Sequence, residues 1–206
     1  MEGNYKGLAC FTIGHSTHDS AKFINLLKLH FIQWIIDVRS TPYSKHNPQF
    51  NKELIKSELK KEGIPYFFMG NLLGARYNNP KLYFPDKPVI DYRKVRERDS
   101  FKQGIERITD GLRQGYNICL MCAEKDPFNC HRFVLVSYSL SRMGINVKHI
   151  LDNGEIIRNE VLEDKMISKY KLDSKQQSLF EKPKTKSALI EEAYVLRNKD
   201  IGVSKL

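Results

Sequence analysis

The chain has 206 residues, 41% of them hydrophobic and 28% charged, a balance that suits one globular core with appendages and excludes a disordered polymer. No uncharged apolar run approaches the ~20 residues that a membrane span needs, and the opening MEGNYKGLACFTIGHS lacks a basic stretch followed by a long apolar one, so a cytoplasmic protein without membrane contact is expected. The net charge of +10 is uneven: residues 39–98 hold 13 basic and 6 acidic side chains, which predicts an anionic small molecule or nucleic acid as partner.

Leu8–Gly14 (LACFTIG) reads as a short buried strand ending in glycine. Asp19 then precedes a helical pattern with Phe23, Leu26, Leu27 and His30 on one face. Trp34–Val38 (WIIDV) is a second strand, apolar on both faces except Asp37, as in a parallel sheet covered on both sides. Asn51–Glu62 is a lysine-rich helix stopped by Gly63. Ile64–Met69 is a third strand, placed at an edge by Pro65.

Residues 70–98 hold three prolines, several tyrosines and no clear period, the pattern of a binding loop or lid. Tyr77, Tyr83, Phe84 and Tyr92 would close over a substrate or stack on bases. Ser100–Gln114 is helical, with Phe101, Ile105, Ile108 and Leu112 in one stripe. Tyr116–Met121 is a strand, Cys130–Met143 a helix ended by Gly144, and Ile145–Leu151 a last strand. Beyond it, Ile156–Lys171 and Ser187–Arg197 read as helices, and Lys175–Ser187 as a linker.

This order predicts an α/β fold. A mostly parallel, doubly wound sheet of about five strands forms a three-layer sandwich over residues 1–152, with a C-terminal helical extension over 153–206. Ligands of such sheets bind at the carboxyl ends of the strands. Three turns fall there: Gly14-His15-Ser16-Thr17-His18, Asp37-Val38-Arg39-Ser40, and Cys122-Ala123-Glu124-Lys125-Asp126. Ser16 or Thr17 can cap the following helix. Asp37 and Arg39 can form a buried structural pair, or Arg39 can bind an anion.

The run LMCAEKDPFNCHR, residues 120–132, is the densest in reactive groups. Asn129 reads as a helix N-cap, which puts Cys130, His131 and Arg132 at a helix start with free amides and a partial positive charge. That field favours an anion and lowers a thiol pKa. Four cysteines without a signal sequence suggest reduced thiols. Cys119-x-x-Cys122 looks like a zinc knuckle, but residues three apart on a strand point to opposite faces. Cys122, Cys130 and His131 remain as a zinc alternative.

Gly14-His15-Ser16, Asp37-Val38-Arg39 with Pro42-Tyr43-Ser44, Leu73-Gly74 with Arg76, and Cys122-Ala123-Glu124-Lys125-Asp126-Pro127 followed by Cys130-His131-Arg132 together resemble the bacterial family called domain of unknown function 488, over about residues 8–152. The resemblance implies a small three-layer α/β domain. It also implies one shared site for His15, Asp37, Arg39, Cys122, Glu124, Cys130, His131 and Arg132, and it implies no particular reaction.

The expected function is an enzyme acting on a phosphate-bearing anion, a nucleotide or a nucleic acid. Cys122, Glu124, His15 and Cys130 would do the chemistry. Arg39, Lys125, His131, Arg132, Ser16 and Arg76 would hold the anion, and Asp37 and Asn129 would play structural polar roles. No cofactor is required by this reading. Its alternatives are a non-catalytic nucleotide- or nucleic-acid-binding module and a zinc protein using Cys122, Cys130 and His131.

Overall fold

A computed structural model describes residues 5–172 and 184–203. Among these residues six strands form one sheet: β1 (Ala9–Gly14), β2 (Trp34–Asp37), β3 (Tyr66–Phe68), β6 (Ile118–Cys122), β7 (Asn146–Ile150) and β8 (Ile156–Arg158). Their spatial order is β3-β2-β6-β1-β7-β8, parallel throughout except for the β7–β8 pair. The first crossovers run from β1 through β2 to β3, and the later ones return through β6 to β7. The reversal opens a crevice at the carboxyl ends of β1, β2 and β6.

The central strands read as continuous apolar runs because both faces are covered. Along β6, Ile118, Leu120 and Cys122 join one core, while Cys119 and Met121 join the other. Cys119 and Cys122 thus point to opposite layers, as the strand period requires. One layer is α1 (Ser20–Leu29) and α2 (Lys52–Lys61), whose Phe23, Leu27, Ile55 and Leu59 pack with Ile13 and Ile35. The other includes α5 (Asp99–Arg113), the helix over 132–142, α7 (Asn159–Lys169) and α8 (Lys186–Ile201). Asp19 caps α1, its carboxylate accepting from the Lys22 amide at 2.7 Å, so Ser16 and Thr17 are not the cap.

Several expected elements differ. Ile156–Arg158 is a strand, not the first turn of a helix, because it pairs antiparallel with β7. Residues 70–98 are not an open lid. They fold into α3 (Gly70–Leu73), a hairpin of β4 (Tyr83–Phe84) with β5 (Lys87–Ile90), and α4 (Tyr92–Arg96). Tyr92 and Phe84 are buried, and Arg93 and Arg98 cover the faces of Phe84 and Tyr77, so these rings pack the core and are not free to stack on bases. Most of the expected linker, Lys175–Ser187, lies outside the described residues. Among the described residues no helix is long and apolar enough to cross a membrane.

Candidate functional site

Strand register builds the site's floor. Gly14 sits beside Cys122, and Asp37 beside Met121. The pairing continues past the strand ends: the His15 amide donates to the Cys122 carbonyl and the Ser16 amide to the Ala123 carbonyl, both at 2.9 Å. Gly14 is required here, because a Cβ would overlap the Glu124 carbonyl oxygen.

Asp37 is fully buried and ion-paired with Arg39. It accepts from the Arg39 amide at 3.0 Å, from Arg39 Nε at 2.9 Å and Nη2 at 2.6 Å, and from the Tyr66 hydroxyl at 2.6 Å. Arg39 Nη2 also donates to the Phe50 carbonyl, and Nη1 to His15 Nε2 at 3.0 Å. With Nε2 accepting, His15 is the Nδ1–H tautomer and donates to the Ser16 carbonyl at 2.9 Å. Its ring stacks on Phe50 with 4.2 Å between centroids. Burial, and then the Arg39 charge, lower its pKa to about 4. His15 is therefore a neutral bracket whose two nitrogens are both committed, and the Arg39 guanidinium is consumed inside the protein. Tyr66, which caps this cluster, had no motif to reveal it in the sequence.

Arg132 is likewise enclosed. It is the largest fully buried side chain, donating from Nη1 to the Glu124 carbonyl at 2.6 Å and from Nη2 to the Lys125 carbonyl at 3.1 Å. Among the described residues it has no carboxylate partner and its Nε has no hydrogen bond. Its role is to clamp the cysteine loop by the backbone. Lys125 pairs with Asp152 at 2.9 Å, and Asp152 also pairs with His18 at 2.9 Å and with Lys22 at 3.3 Å. Arg76 is exposed and held by its amide on Ser40 Oγ at 3.0 Å.

Asn129 is not an N-cap. Its side chain donates to Asp126 at 3.1 Å and accepts from Arg197 of α8, while Asp126 caps the tight turn Pro127–Asn129. Cys130 takes the capping role: its backbone is extended, its carbonyl accepts from the Phe133 amide at 3.1 Å, and its sulfur accepts the Arg132 amide at 3.4 Å. The turns that follow, Arg132–Ser137, are widened to π-helical form and wholly buried before α6 (Tyr138–Arg142) begins. Such widened turns recur at functional sites.

In front of this start stand four donors. Glu124 Oε2 lies 3.0 Å from Cys122 Sγ and 2.9 Å from Cys130 Sγ. His131 Nδ1 is 3.6 Å from Cys122 Sγ and 4.0 Å from Cys130 Sγ. All four ligand atoms fall within 4.8 Å of one another. His131 Nε2 donates to the Val38 carbonyl at 3.1 Å, which orients the ring with Nδ1 facing the sulfurs; burial would lower its pKa, but the Cys130 hydrogen bond and charge raise it.

The electrostatics separate the two thiols. Burial, and then contact with Cys130, push Cys122 well up. Burial would raise Cys130 too, but the Cys122 hydrogen bond, the Arg132 charge and His131 hold it well below the usual thiol range. Glu124 is raised by burial and by the Cys130 charge, although the residue as a whole is exposed; its carboxylate end faces inward onto the sulfurs. Tyr92, expected to close over a substrate, is buried instead, and its pKa is raised by burial and then by Cys130, Cys122 and Glu124. The cluster can hold a thiolate, pass a proton through a carboxylate, or ligate a cation.

A parallel α/β sheet with a thiol–carboxylate–imidazole cluster at its carboxyl edge defines the class. The chain belongs to the family described as Domain of unknown function DUF488, whose model matches residues 19–139. That segment holds Asp37, Arg39, Glu124, Arg132 and both site cysteines, and it begins after His15 and Ser16. No curated protein and no solved structure matches the chain.

Proposed function

We propose that this protein is an enzyme acting on a small anionic substrate at the Cys122–Glu124–Cys130–His131 cluster. The observation that carries the reading is Glu124 Oε2 placed between two sulfurs at 3.0 and 2.9 Å, on a residue that reaches solvent. A nucleophile and a proton carrier are then in direct contact at the edge where α/β sheets bind ligands. The positive charge of the chain supports an anionic substrate. Phe84 and Tyr92 are buried and Arg98 covers the Tyr77 ring, which gives base stacking by these three no support, so a nucleotide or phosphate ester is favoured over a nucleic-acid strand.

The test is a panel of phosphate monoesters, nucleotides and short single strands, followed by phosphorus NMR and by thermal melting. At least one compound is expected to be consumed, with consumption abolished by Cys130→Ser and by Glu124→Gln. A panel that neither shifts the melt nor turns over rejects the reading.

The convergence of four donor atoms favours a second reading, a metal centre. Two thiolates and an imidazole select zinc over harder cations. Elemental analysis after purification without chelator checks it, and metal far below one equivalent excludes it.

A further inference from the structure

We propose that Cys122, Cys130 and His131 are the fixed ligands of a zinc ion, and that Glu124 is a movable group over its fourth position, which takes a small oxygen donor from outside the protein. The proposal rests on the metal reading above and adds which donors stay and which one leaves.

Three of the four donors are immobilised. Cys122 ends the central strand β6 and is 2% exposed. Cys130 is 1% exposed and is pinned at the helix start by the Arg132 amide on its sulfur. His131 is oriented by the Val38 carbonyl. An outer partner of this kind is the usual companion of a metal-bound imidazole.

Glu124 differs. Its backbone is held by Arg132 on its carbonyl and by the close approach of Gly14, yet the residue is exposed and its side chain reaches back over the sulfurs from a loop. Three fixed N/S donors with a fourth position filled by something displaceable is the arrangement of catalytic zinc, whereas structural zinc has four immobile ligands. The buried charge agrees. Arg132 has no acid partner among the described residues, and zinc with two thiolates and one carboxylate carries one negative charge to balance it. Removing Glu124 from the metal would expose the fourth position on the solvent side of the site, where both Glu124 and His131 reach the surface.

The experiment uses the full chain, purified without chelator from zinc-supplemented cells, beside Glu124→Ala, Cys122→Ser and Cys130→Ser. Zinc is expected near one equivalent in the parent and in Glu124→Ala, and to be largely lost from both cysteine variants. Cobalt exchanged into the parent and into Glu124→Ala should give a tetrahedral thiolate spectrum that acetohydroxamate shifts, at lower concentration in Glu124→Ala. A parent without metal overturns the metal reading and the proposal with it. Zinc lost in Glu124→Ala, or a cobalt spectrum unmoved by acetohydroxamate in both proteins, overturns only the open position and leaves a closed four-ligand site. If the cysteine variants fail to fold, the Glu124→Ala content and the cobalt titration still decide.

Discussion

Asp37→Asn would keep the side chain's shape and remove the charge that holds Arg39. Arg39 would then be a buried cation without its acid, and an amide N–H would face guanidinium and phenol donors. Breaking a buried pair from one side costs about 3–5 kcal/mol, so the urea midpoint should fall sharply; an unchanged midpoint would contradict the bracket. His15 and His149 make a second prediction. His149 is wholly buried between Thr12 Oγ1 at 2.7 Å and Asn159 Oδ1 at 3.3 Å, and burial, followed by the Arg132 charge, lowers its pKa to about 3. Both histidines titrate near 6.5 when unfolded and stay neutral in the fold down to about pH 4 for His15 and about 3 for His149. Between pH 6.5 and 4 the unfolded chain therefore binds more protons, and stability falls as pH falls, by up to roughly 3 kcal/mol for each group by pH 4. The melting temperature should drop across that range, with a smaller drop in His15→Asn. A flat profile from pH 7 to 4 would count against neutral histidines.

Among elements, the end of β1 and the cysteine loop approach closely at Gly14. Gly14→Ala should push the loop away at the Glu124 carbonyl, lower the melting temperature and loosen the two thiols. Faster alkylation of Cys122 and Cys130 in the folded variant, located by peptide mass mapping, would show it; parental rates would not. The sequence carried this much of the site because its signals are local: strand alternation puts Cys119 and Cys122 on opposite faces, and Asp37 and Arg39 are two residues apart. What it hid is non-local. Asn129 has the look of a cap but spends its side chain on Asp126 and on Arg197, which is far along the chain. The short strand Ile156–Arg158, only partly covered, shows itself only through its pairing with β7. Pro85 and Pro88 mask the β4–β5 hairpin, and nothing in the spacing of Tyr92 reveals that it is buried.

For the molecule as a whole, the C-terminal extension is part of the site's support. Arg197 is buried, donates from Nε to the Phe128 carbonyl at 3.0 Å and covers the Phe128 ring. Asn198 accepts from the Tyr92 amide at 2.7 Å and donates to the Ile90 carbonyl at 2.9 Å. A chain truncated after Leu172 should melt lower and lose hydrogen-exchange protection around residues 90–92 and 128–130; unchanged protection there would show that α8 is only an attachment. These contacts also set an order in time. During synthesis the cysteine loop leaves the ribosome long before Arg197 does, so the Phe128 carbonyl and the Asn129 side-chain oxygen must wait for α8. Until it docks, the loop carrying Cys130 lacks one of its holds, and any oxidant or stray metal meets the site at its least ordered.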